Sequence, residues 1–342
     1  MTNYMKVAVK CVSEVNRRPH MRVWKENFFL LLIFLFSVGY AAFLSSLPID
    51  VFKDRINYLR YASSSLKTLR LYYESGLFVV LSNEPLWLCI NGFLSLFIKP
   101  ETVVRILILS SSFFVSWHIL RNNKEYFFWI VFFLFMPQVI KNHIVHLRQG
   151  VAISFFLAGW YGSGQIRKWF FIGSTPFIHA SFAFVLALLC VSACLKQLPL
   201  AADIRNLILL CYAVLISLSL SWLGRLLGAR QASEYVFSAT HVSGLGFIFW
   251  SIVFMVMLFE GRHYLRQYSF EVSGLLFYLA SYWLIPVTAR IFESMLLLIL
   301  VAGLRLGGWQ RIIFLLSIAA IFFIQYGLRI HLPWLGFGVS LG

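Results

Sequence analysis

The chain has 342 residues, 60% of them hydrophobic and only 12% charged, too little polar surface to dissolve as a globule of that size. Its formal net charge of +16 comes from lysines and arginines spread one or two to a loop. That pattern argues against a nucleic-acid footprint, which would line one face, and reads as topology signals.

Repeated apolar runs of about 17 to 20 residues mark membrane helices, since barrel strands would alternate with period two. The expectation is an all-α polytopic integral membrane protein, a single membrane domain over residues 1–342. Lys6, Lys10, Arg17, Arg18, Arg22 and Lys25 precede a long apolar run that lacks a small-residue cleavage site. Residues 1–26 therefore read as a cytoplasmic tail and 27–47 as the first span. A long outer segment follows, 48–102, carrying Asp50, Asp54, Arg55, Tyr58, Arg60, Arg70 and Tyr73 ahead of the apolar stretch LFVVLSNEPLWLCINGFLSLFI.

A full crossing by residues 77–98 would put Glu84 and Asn91 in hydrocarbon and turn every later loop over. Treated as a re-entrant or interfacial element, the same stretch places five basic pairs on the inner side: Arg121 with Lys124, Arg167 with Lys168, Lys196 with Arg205, Arg262 with Arg266, and Arg305 with Arg311. Spans are then expected near 103–120, 126–144, 148–163, 206–223, 244–260, 272–289, 290–306 and 312–328. Between Lys168 and Lys196 the chain must leave and return in about 27 residues, so each arm has about 20 Å of helix against a core of about 30 Å. This predicts a short broken pair, bent at Pro176 and His179 within STPFIHAS, below the outer surface. The total is about eleven membrane segments plus the re-entrant element, with 224–243 as an outer loop able to cover a cavity. The five cysteines, Cys11, Cys89, Cys190, Cys194 and Cys211, form no CxxC pair and are assigned neither disulfide nor metal.

The stretch KNHIVHLRQGVAISFFLAGWY, from Lys141 to Tyr161, opens cationic and polar groups directly into an apolar helix. Arg148 and Gln149 at its mouth read as an anion site, because a guanidinium holds phosphate in bidentate geometry beside the free N–H groups of a helix start. The alternative is an anchor arginine snorkelling to the interface. His179, beside the predicted break, is expected to face a cavity covered by protein or water. It is either a packing histidine or a group that takes a proton from a hydroxyl.

Arg290 and Glu293 share a helix face, as a structural ion pair or as an anion-binding arginine with a neighbour. Glu84 begins a half-helix with Pro85 in its first turn; it either favours the helix N-terminus or acts as an acid/base or sugar contact. His143 and His146 lack an HExxH frame or a carboxylate pair, so no metal is assigned. No cofactor is assigned either.

These residues resemble the EpsG-like proteins, relatives of the Wzy polymerases of bacterial surface polysaccharide. The resemblance rests on Glu84-Pro85 after a polar outer segment, on Arg148-Gln149-Gly150-Val151-Ala152 opening a span, on His179-Ala180-Ser181 about thirty residues later, and on Arg290-Ile291 near the C-terminal third. It implies a GT-C-like membrane glycosyltransferase that joins undecaprenyl-pyrophosphate-linked oligosaccharide units, donor to acceptor, at the periplasmic face of the bacterial inner membrane. The product would be O-antigen, capsule or exopolysaccharide, and membrane lipid, a chain-length regulator and a flippase would be its partners. On that reading Arg148, Gln149, Arg290, Asp54 and Tyr58 bind substrate, and His179 or Glu84 serves as the base. A flippase or transporter of lipid-linked sugars, an O-antigen ligase and a sugar acyltransferase are the competing functions.

Overall fold

The computed structural model describes residues 26–226, 244–285 and 287–338. The basic tail before Glu26, Cys11 and residues 227–243 of the outer loop lie outside the described residues. Those described are overwhelmingly helical, with one isolated antiparallel bridge between Phe52 and Gly338.

Helix α1 (Glu26–Ser46) is followed by α2 (Arg55–Ser75), the polar helix of the long segment, and by α3 (Leu77–Ser82) and α4 (Pro85–Ser95). The expected re-entrant stretch is thus two short helices, broken at Asn83 and Glu84. Pro85 restarts the helix because its fixed φ suits a first turn and its missing N–H would be unused there. The 11 residues of α4 reach about 16 Å, short of a hydrocarbon core of about 30 Å.

After α5 (Pro100–Asn122) come α6 (Phe127–Leu134) and α7 (Pro137–Ile144). Residues 126–144 were expected as one uninterrupted span; instead the two halves bend by 72°. Pro137 removes a donor from the helical ladder at that point. The carbonyls of Leu134 and Phe135 at the break accept from the hydroxyls of Tyr40 (2.9 Å) and Tyr326 (2.7 Å). Neighbouring helices thereby satisfy backbone that lipid could not.

Next are α8 (Leu147–Trp160) and α9 (Gln165–Ser174), a helical turn at Thr175–Phe177, and α10 (Phe182–Gln197). The break expected at Pro176 and His179 is present, between arms of 10 and 16 residues. The chain continues through α11 (Ala202–Leu226), α12 (Leu245–Phe259), α13 (Arg262–Gln267), α14 (Ser269–Ser281), α15 (Thr288–Leu304) and α16 (Gly308–Gly327).

Among the described residues α1, α5 and α16 are long and apolar enough to cross a membrane, and the bent pair α6–α7 makes a fourth if it counts as one span. Together with the shorter apolar helices this is consistent with a multi-pass membrane protein. Several expected spans are shorter than anticipated: α8, α12 and α14 have 14, 15 and 13 residues.

The core is built around α15, which packs against α6, α7, α10, α14 and α16. Every residue of α15 after Arg290 is buried, and a helix apolar on all sides belongs inside a bundle. Gly303 near its end faces the Phe314 ring of α16 so closely that a Cβ would overlap it. At this end Arg305 meets Glu125 Oε1 at 2.5 Å and, with Arg311, lies over the Tyr126 ring, while Lys168 lies over Trp160. Arg290 stands at the opposite end of α15, about 22 Å away along the axis for 15 residues of helix.

Candidate active site at the Arg290 end of the bundle

Three chain breaks meet at this end, where Asn83 and Glu84 precede α4, residues 175–181 separate α9 from α10, and Val145 and His146 join α7 to α8. The last of these is tight, because the N–H groups of Val145 and His146 both donate to the Lys141 carbonyl at 2.9 Å. Gly150, in the first turn of α8, lies against α7 so closely that a Cβ would strike the Asn142 carbonyl and come within 3.1 Å of His143 Nδ1. The RQG sequence therefore carries a packing requirement beside its charge.

Gln149 is fully buried, and its Nε2 donates to the Arg290 carbonyl (2.7 Å) and to Ser294 Oγ (3.1 Å). It ties the start of α8 to the start of α15 and so fixes the spacing of the two arginines.

Glu84 is the centre of the cluster. Its Oε2 accepts from Arg148 Nη1, and its Oε1 lies 2.9 Å from His179 Nδ1 and accepts the Ala180 N–H at 3.2 Å. All three side chains are shielded, at 6%, 17% and 8% side-chain exposure for Glu84, Arg148 and His179. The backbone of Glu84 is left-handed, with φ 59° and ψ 54°, a conformation that costs a non-glycine residue about 1 kcal/mol or more and persists where surrounding contacts over-determine it. An ionised carboxylate only accepts, so the proton on the facing His179 nitrogen belongs to Nδ1 and Nε2 is left with its lone pair. The guanidinium of Arg148 also lies 5.6 Å from the Tyr61 ring centroid.

A cavity of about 460 Å³ opens onto this cluster. It is lined by His146, Arg148, Gln149, His179 and Arg290 on one side and by Asp54, Asn57, Tyr58, Arg60, Tyr61, Ser64 and Thr68 of the α2 region on the other. Asp54, at the start of α2, is a second acidic residue with left-handed backbone (φ 62°), and its Oδ2 lies 3.9 Å from His146 Nδ1.

Six of the seven sequence-derived site residues, Asp54, Tyr58, Arg148, Gln149, His179 and Arg290, line the cavity directly, and Glu84 contacts two of them, Arg148 and His179. Two arrangements differ from the sequence reading. Arg148 and Glu84, treated there as separate groups, form an ion pair. Glu293, set on the Arg290 face, pairs with Lys141 Nζ at 3.3 Å.

His143 is a packing residue, fully buried beside Ser111 Oγ (3.3 Å) and edge-on to Tyr40. Sequence reasoning weighed His146 only as a metal ligand and, of this face of α2, took Asp54 and Tyr58 as site residues without Asn57, Arg60, Tyr61, Ser64 and Thr68. Their signal was present as a polar row at helical spacing that continues from Asp54 and Tyr58. Among the described residues no three His, Cys, Asp or Glu side chains converge to hold a metal ion. No family model matches this chain, and no curated protein or solved structure matches it either.

Proposed function

We propose that this chain is a membrane glycosyltransferase of the EpsG and Wzy type, a polymerase of undecaprenyl-pyrophosphate-linked oligosaccharide units with its site on the periplasmic side of the bacterial inner membrane. The observation that carries the reading is the buried Glu84–His179 pair set against Arg148 at the mouth of a polar cavity, with Arg290 on the same wall. Chemistry of this class needs a base for a sugar hydroxyl and fixed positive charge for a departing pyrophosphate, and in this reading His179 and the two arginines supply them. Charge supports the proposed sidedness: Arg121, Lys124, Arg167, Lys168, Arg305 and Arg311 belong to the end opposite Arg290, and positive loops tend to stay in the cytoplasm. The expectation of about eleven segments and a GT-C-like arrangement belongs to this proposal.

In the proposed reaction an acceptor hydroxyl attacks the anomeric carbon of the donor sugar. Its proton passes to His179 Nε2 as the carbon–oxygen bond forms, and the bond from that carbon to the pyrophosphate breaks. Arg148 and Arg290 stabilise the charge that collects on the leaving group. Both carboxylate oxygens of Glu84 are engaged, so its role is to hold His179 in the Nδ1–H tautomer and at a fixed angle, as the carboxylate does in a catalytic triad. His179 is the base, and Glu84 is a positioning residue.

A single displacement of this kind inverts the anomeric centre. A transporter reading has less support, because the polar groups gather at one end and the length of α15 beyond them is buried apolar helix.

The test is deletion of the gene in its host, followed by restoration as wild type, Arg148→Ala or His179→Gln at matched membrane levels, with the surface glycan resolved on a gel. The expected result is a single repeat unit in the deletion strain and in both variants, and a ladder with wild type. Loss of even the single unit on deletion would refute the polymerase in favour of export or an earlier step, and a full ladder with either variant would remove that residue from the site.

A further inference from the structure

The cavity extends well beyond the cluster that the proposed chemistry uses. Asn57, Tyr61, Ser64 and Thr68 follow one another at intervals of four, three and four residues, so they form a single stripe on α2, and all four line the cavity. From Asp54 to Thr68 the stripe is about 21 Å long at helical rise. Its two ends differ in chemistry. From the start of α2 as far as Tyr61, whose ring lies 5.6 Å from the Arg148 guanidinium, the facing wall is cationic, with Arg148 and Arg290; beyond it the α2 lining is the hydroxyls of Ser64 and Thr68, with Arg60 alongside.

The hydroxyls of Ser64 and Thr68 spend their protons on helix carbonyls, those of Arg60 (2.7 Å) and Ser64 (3.1 Å). Their lone pairs therefore face outward as acceptors, while the Asn57 amide both donates and accepts. Tyr61 presents a half-buried ring braced edge-on by Trp87 at 6.3 Å.

The acceptors of Asn57, Ser64 and Thr68, continuing past the ring that faces Arg148, suit a ligand with many hydroxyl donors. They do not suit a lipid tail, which would require an apolar wall, and a diphosphate finds its paired cations, Arg148 and Arg290, at the other end of the cavity.

We infer that this stripe is a glycan track: a saccharide chain lies along α2 with its reacting end at His179, while the diphosphate occupies the Arg148 and Arg290 end. The inference rests on the glycosyltransferase reading and adds a second, separable binding element to it. A track of this kind sets how firmly the acceptor is held and leaves the bond-forming groups untouched.

The full chain, purified into lipid nanodiscs, is titrated with two probes: the host's repeat-unit oligosaccharide cut from its lipid carrier, and inorganic pyrophosphate. Wild type is compared with the triple variant Asn57→Ala, Ser64→Ala, Thr68→Val, which leaves Tyr61 and its contact with Arg148 in place. The helix tolerates these changes locally, and thermal unfolding verifies the fold. The expected result is a loss of oligosaccharide affinity of about tenfold or more, as removal of several hydrogen bonds implies, with pyrophosphate affinity unchanged and a shorter modal glycan in the host.

Oligosaccharide affinity unchanged in the variant overturns the track, and so does an equal loss of affinity for both probes. The glycosyltransferase reading is judged separately by the wild-type ladder. If wild type makes no polymer yet binds oligosaccharide through α2, the track stands and the polymerase falls; if wild type polymerises and the variant binds normally, the reverse holds.

Discussion

Replacing Glu84 with glutamine is the sharpest perturbation the cluster permits, because shape is kept while one of its two duties must fail. The wild-type carboxylate accepts on one oxygen from Arg148 and on the other from His179 and the Ala180 N–H. Glutamine has one oxygen and one NH₂. If the oxygen stays on Arg148, the NH₂ faces His179 Nδ1 and the imidazole moves its proton to Nε2, where the base should be. If the amide turns over, its NH₂ opposes the guanidinium of Arg148.

Each charge-assisted bond contributes about 1.5–3 kcal/mol, and removing one partner of a fully buried pair costs about 3–5 kcal/mol. The 17% exposure of Arg148 sets the expected destabilisation near the lower bound, about 3 kcal/mol. Loss of the base costs about 10²–10⁴ in rate, equivalent to about 3–5.5 kcal/mol of barrier. The assay is turnover of lipid-linked oligosaccharide by purified protein at matched folded fraction, with thermal unfolding in the same detergent. Adding Arg148→Gln to Glu84→Gln should recover part of the stability and none of the turnover. A Glu84→Ala enzyme, which has no acceptor left for His179 Nδ1, turning over within threefold of wild type at matched folded fraction would refute the assignment of Glu84 to holding His179.

Two further predictions concern packing. Gly150→Val, which drives side-chain atoms into the Asn142 carbonyl, should lower stability by about 1–3 kcal/mol, while Gly173→Ala, where a Cβ meets nothing within 4 Å, should leave the melting temperature unchanged or slightly raised; equal losses at both would remove the special status of Gly150. Tyr40→Phe strands the Leu134 carbonyl at the α6–α7 break and should cost about 1–3 kcal/mol, with Tyr326→Phe doing the same for Phe135, both read by denaturation in detergent.

Much of the site was legible because the residues that carry it are improbable in apolar surroundings. Arg148, Glu84, His179 and Arg290 each stand out as a polar group beside a hydrophobic run, and Pro85 and Pro176 mark where the chain must break. What could not be read was partnership. Nothing along the sequence says that Glu84 reaches residues 64 and 95 positions away, or that Glu293 meets Lys141, 152 positions earlier.

The α2 stripe was hidden for a different reason. Its residues are ordinary in a polar segment and acquire meaning only from the wall they face. Span lengths went astray where tertiary contacts replaced lipid: the 72° bend survives because two tyrosines from distant helices satisfy its carbonyls, and hydropathy cannot register that.

The enclosure of α15 also bears on how the protein is made. A chain synthesised from its N-terminus delivers α6, α7, α10 and α14 before α15 emerges, and α16 afterwards. The central helix therefore enters a groove that its predecessors have already shaped, and it stays open on one flank until the last long helix arrives. Phe314 closing over Gly303 is the lock on that final step, made at the end of α15 opposite Arg290.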